Sequence, residues 1–151
     1  MILERRGLPA LGPQVAIAHD LGGNPARKIG CPTTRKDHPL RKFFSRWGYS
    51  LQDWYRSSAN FRTPKHLGEF LKSHLIPEND VLVCFWHPTL NKKPKGGGHI
   101  ALVERVTKKH VFLCDPKRKH KHGRKVLLSD LFDAVKDYGK WGAVHIISNV
   151  E

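Results

Sequence analysis

The chain reads as an α+β domain in which N-terminal helices pack on a C-terminal antiparallel sheet, and three observations predict it. Apolar residues recur at helical spacing between residues 40 and 75. After Pro77 the pattern shortens to extended apolar runs at 80–86, 99–106 and 109–115. One more helical stretch, 127–138, and a closing apolar run, 143–148, complete the order. With 151 residues and 39% hydrophobic content, the chain can build one domain around a real core. Residues 1–30, rich in Gly and Pro and without a period, form an extended arm, and residues 31–151 form the domain.

Each element has a local cause. Asp37 and Pro39 form a cap and first-turn pair, Leu40, Phe43, Phe44 and Trp47 make one apolar face, and Gly48 stops that helix. Ser50 with Asp53 three residues on resembles a loose capping box and predicts a short helix from Leu51. Thr63-Pro64 starts a third, whose inner stripe is Leu67, Phe70, Leu71 and Leu75. Val81-Leu82-Val83-Cys84-Phe85-Trp86 is a strand, and Trp86-His87-Pro88 with the loop to Gly97, three glycines standing in a row at 96–98, reads as a mobile flap beside His99. Two further strands follow, then a basic loop, then a helix from Leu127 to Tyr138 begun by Ser129, and last a strand from Ala143 to Ser148.

Charge is the strongest bias in the composition. Lys+Arg 27 against Asp+Glu 13 gives a formal net charge of +14 and a pI of about 10.1. The excess concentrates at Lys92, Lys93 and Lys95, and again at Lys117, Arg118, Lys119, Lys121, Arg124 and Lys125. Such clusters suit nucleic acid, an anionic membrane face or an acidic protein, and equally serve as solvated loop charge. No aromatic residues are interleaved at stacking spacing, so no single-strand platform emerges. No apolar run reaches the roughly 18 residues of a transmembrane helix. The run from Gly7 to Ala18 is broken by Pro9, Gly12 and Pro13, which makes it an irregular arm rather than a cleavable signal.

Three cysteines with no CxxC pair argue against a zinc ribbon and a disulfide framework, and point to the cytoplasm or another reducing compartment. Cys84 and Cys114 lie in apolar strands, where a buried inert thiol is the ordinary outcome. Cys31 lies among Arg27, Lys28, Arg35 and Lys36, whose positive charge favours a thiolate. His110, His120 and His122 could be drawn with Cys114 as metal ligands, but the surrounding Lys and Arg repel a dication, so neither metal nor cofactor is expected.

The densest chemical signal runs from Gly96 to Pro116. Gly97-Gly98-His99 opens one strand, and His110-Val111-Phe112-Leu113-Cys114 ends in Asp115-Pro116. If residues 104–109 turn back as a hairpin, imidazole and carboxylate come close enough to fix the tautomer and orientation of a general base. Gly98-His99-Ile100-Ala101-Leu102-Val103, with Asp115 standing 16 positions after His99, resembles the papain-like cysteine peptidases that process bacteriocin leader peptides. The resemblance covers residues 31–148 and implies a papain-like fold. It implies His99 as general base, Asp115 as the residue that orients it, and Cys31 as nucleophile toward a peptide or protein substrate.

Two departures from that pattern stand in the sequence. Cys31 is followed by Pro32, which costs about 3 kcal/mol inside a helix, so the thiol precedes the helix instead of opening it. No Gln lies close before Cys31 either: Gln14 is 17 positions away, and Asn24 is the other candidate oxyanion donor. Three readings follow. The first is an active peptidase or related acyl-transfer enzyme. The second is a silent papain-like domain that binds a peptide or protein partner, with Arg35 or His38 near the nucleophile's place. The third is a basic nucleic-acid-binding protein.

Overall fold

A computed structural model describes residues 51–114 and 123–149. The expected arm and the helix expected at 39–47 lie outside them. The chain runs β1 (Leu51–Ser57), a 3₁₀ turn (Ser58–Asn60), α1 (Pro64–His74), β2 (Asn79–Trp86), α2 (His87–Asn91), β3 (Gly98–Val106), β4 (His110–Cys114) and β5 (Arg124–Leu127). It then forms α3 (Leu128–Asp137), a second 3₁₀ turn (Gly139–Trp141) and β6 (Ala143–Asn149). The six strands make one sheet in the order β1-β6-β2-β3-β4-β5, antiparallel at every pair. The class is therefore α+β, with a helical layer on an antiparallel sheet.

α1 forms where the sequence calls for it. Pro64 occupies the first turn, and Thr63 Oγ1 accepts a hydrogen bond from the His66 amide at 3.1 Å. Leu67, Phe70 and Leu71 turn inward, each side chain contributing about 1.5–3 kcal/mol by leaving water. α3 begins at Leu128 and has no side-chain cap; the Leu128 amide instead donates to the Lys109 carbonyl at 2.9 Å, so the β3–β4 hairpin starts the helix. Ser129, expected to open this helix, lies one position inside it.

Residues 81, 83 and 85 of β2, 101 and 103 of β3, and 144 and 146 of β6 share the helix-facing side and join α1 and α3 in the core. Leu82, Cys84, Leu102, Cys114, Ala143 and Ile147 alternate to the other side and are buried as well. A strand buried on both faces has no polar side to show, which is why β2 reads as an unbroken apolar run.

Three expectations need correction. The helix expected from Leu51 is β1, whose seven residues all pair with β6 from Leu51↔Asn149 to Ser57↔Ala143. A full antiparallel ladder outweighs the cap-like Ser50 and Asp53, because strand formation depends on the neighbour more than on the segment itself. β5 emerges from the segment expected as basic loop and pairs His110↔Leu127 through Leu113↔Arg124. The expected flap contains α2, fixed to α3 by a hydrogen bond from Thr89 Oγ1 to Asp137 Oδ2 at 2.6 Å.

Within β3 the register slips between Val103 and Arg105 against β4, leaving Glu104 as the extra residue of a bulge. Before it, odd-numbered residues face the helices. After it, Val106 packs against the core and Arg105 is exposed, its guanidinium 3.8 Å from the centre of the Phe112 ring.

Candidate functional site

His99 is the second residue of β3 and pairs with Phe85 near the end of β2. It is only 8% exposed. Two rings meet it edge-to-face: Phe85 at 5.4 Å between centroids and His87, the first residue of α2, also at 5.4 Å. Phe85 is placed by strand register. His87 is placed by a closed loop, since its amide donates to the Gly97 carbonyl at 3.1 Å and its carbonyl accepts from Asn91 Nδ2 at 2.7 Å. Ring contacts on two sides restrain the plane of the imidazole.

Tyr138, just past α3, closes the same end of the sheet. Its ring lies 5.7 Å from Trp86 and covers the α-carbon of Gly98, so closely that a β-carbon there would occupy the place of the phenol. Burial holds the Tyr138 hydroxyl above its ordinary pKa, and the nearby Cys84 adds to the rise. At neutral pH the phenol is uncharged and packs beside the residue that precedes His99.

The loop entering β3 is basic. Lys92, Lys93 and Lys95 are exposed. Lys92 adopts a left-handed conformation with φ 51° and ends α2. Arg124 differs from the rest of the basic set. It is half-buried in β5 and donates through Nη2 to Asn91 Oδ1 at 2.8 Å, so part of its donor capacity ties β5 to α2. Lys125, its neighbour, is exposed. Cys84 and Cys114 are free, buried thiols. Cys31, Asp115, Asn24, Gln14, Lys117, Arg118, Lys119 and Lys121 lie outside the described residues, as do Arg35 and His38.

Among the candidates, then, the described residues fix His99 and the basic loop before it. Sequence reasoning passed over Phe85 and Tyr138 and gave His87 only as part of a flap beside His99. Phe85 and His87 flank Trp86 at a strand end without any motif of their own. For Tyr138 a signal existed: a Gly directly before a catalytic-type His at a strand start marks a close approach by something large.

Fold and site define an α+β domain whose six-stranded antiparallel sheet holds a buried histidine at one end, beside a short helix. Among the described residues no helix is long and apolar enough to cross a membrane. Compared with known proteins, the chain matches no family model. No curated protein is significantly similar to it.

Proposed function

We propose that this domain is a papain-like cysteine peptidase, or a related acyl-transfer enzyme, in which His99 is the general base. The observation that carries the reading is the antiparallel pairing of β3 with β4. It brings the start of β3, where His99 stands, and the end of β4, after which Asp115 follows, to one end of the sheet.

In the proposed reaction the Cys31 thiol gives its proton to His99, and the sulfur attacks the carbonyl carbon of a peptide bond. The carbon–nitrogen bond breaks as His99 returns the proton to the leaving amine, and water then hydrolyses the thioester. Asn24 or Gln14 would donate to the oxyanion, and Asp115 would hold the imidazolium. Phe85 and His87 keep the ring in plane and limit water around it. The lysines at 92, 93 and 95 suit a substrate with acidic residues near the cleaved bond.

The test is alkylation of Cys31 by iodoacetamide, followed by mass spectrometry as pH is varied, in the intact protein and in His99→Ala. The expected result is a thiolate that reacts well below the ordinary value of about 8.5 and returns to it in the variant. Ordinary titration in both proteins would overturn the enzymatic reading. A second reading, a catalytically silent papain-like domain that binds a peptide or protein, is favoured by the burial of His99 between two rings. It predicts the ordinary outcome for all three cysteines.

A further inference from the structure

We propose that the groove between α1 and the β3–β4 hairpin docks an acidic peptide segment carrying an apolar residue. This groove has a volume of about 790 Å³, within the roughly 300–1,000 Å³ range of clefts that hold ligands. Its apolar surface comes from Pro64, Val106, Leu127 and Leu128, and four lysines surround it: Lys65 and Lys72 from α1, Lys108 and Lys109 from the hairpin.

Glu69, the one acid of the lining, already pairs with Lys65 at 3.8 Å. Among the described residues no carboxylate pairs with Lys72, Lys108 or Lys109. The groove thus carries a net positive charge with no internal counterpart, which is the complement of a carboxylate-bearing chain.

Leu127 supplies the apolar anchor. It is 46% exposed, unusual for a leucine at the head of a helix whose next residue is buried. It borders a second cavity of about 390 Å³ in which Arg124 and Lys125 add positive charge against a single acid, Asp130. An exposed leucine with cations on both sides calls for a ligand that is apolar at one point and acidic around it. A nucleic acid fits less well, because no aromatic side chain lines the groove to stack a base.

This surface is remote from His99. Val106 stands seven positions further along β3, about 23 Å at about 3.3 Å per residue. The docking proposal therefore does not rest on the peptidase reading, and each can fail without the other.

The experiment is fluorescence anisotropy with the full chain and a short labelled peptide in which a leucine is flanked by glutamates and aspartates. It is run on the unmodified protein, Lys72→Glu/Lys108→Glu, Leu127→Ser and His99→Ala, with circular dichroism confirming that each variant folds. Expected are saturable binding that weakens as salt rises, a loss of about tenfold or more in the double charge reversal, a smaller loss in Leu127→Ser, and no change in His99→Ala. Absence of binding by the unmodified protein, or equal affinity in the double variant, would overturn the proposal. So would tighter binding of an oligothymidylate of matching length that the same variants abolish, since the groove would then belong to nucleic acid.

Discussion

Gly98→Ala puts the architecture around His99 under direct test. A β-carbon at this position would coincide with the Tyr138 hydroxyl and Cζ, and would lie 2.6 Å from Cε2. Carbon atoms in good contact sit about 3.5–4.0 Å apart, so the Tyr138 ring must retreat by about 1–2 Å. Trp86 packs against that ring and resists the move. Overpacking of this kind costs about 1–3 kcal/mol, while exchanging Gly for Ala in a strand returns about 0.5–1 kcal/mol. The net loss is about 1–2 kcal/mol, read as a lower urea midpoint at unchanged slope. In a Tyr138→Ala background the obstacle is gone, and the same substitution is expected to be neutral or stabilising by about 0.5–1 kcal/mol. The double-mutant cycle thus yields a coupling of about 2 kcal/mol. An equal cost of Gly98→Ala in both backgrounds would refute the contact between the phenol and Gly98 as its cause.

Gly142→Ala meets backbone instead of a side chain: its β-carbon would fall on the Val135 carbonyl oxygen and 3.1 Å from Ser58 Cβ, and a loss of about 3 kcal/mol or more in urea unfolding is expected. Thr63→Ala removes the α1 cap and should cost about 1 kcal/mol in the same assay, with little effect from Thr63→Ser. Tyr138→Phe addresses pH. The hydroxyl holds its proton more tightly in the folded protein than in the unfolded chain, first through burial and then through Cys84. That stabilisation is complete below the unfolded value of about 10 and is lost as pH rises through the folded value. As pH rises above about 10 the unmodified protein should therefore lose stability more steeply than Tyr138→Phe, and parallel curves would exclude the effect.

What the sequence disclosed follows from how local each cause is. α1 was legible because its cap, its first-turn proline and its apolar stripe all lie within Thr63–Leu75. β2, β3, β4 and β6 were legible because burial makes their residues apolar in runs too short for helices. β1 was not, because its extended form is imposed by β6, more than eighty residues later in the chain. β5 was hidden by its edge position: Arg124 and Lys125 read as loop charge, yet charged residues are how a short edge strand discourages further pairing. At the site, His99 announced itself through Gly97-Gly98 and the strand behind it. His87 reaches it only through the turn of α2, and Tyr138 reaches the neighbouring Gly98 only from the end of α3, which no spacing in the sequence encodes.

The extra residue at Glu104 has a consequence for how this chain tolerates change. It divides β3 into two reading frames: up to Val103 the odd positions belong to the interior, and from Arg105 onward the even ones do. Glu104 is also anchored, accepting the Gly123 amide through Oε2 at 2.8 Å at the entry to β5. Deleting this one residue would restore an unbroken ladder in which Val103, Arg105 and Val106 keep their partners Leu113, Phe112 and Val111 and therefore their sides, and would remove only the tie to Gly123. Insertions and deletions near 104 therefore carry a parity rule. A one-residue deletion at 104 leaves both halves facing as they do, whereas a two-residue deletion there would turn Val106 outward, so the extra residue is one the strand has to spare.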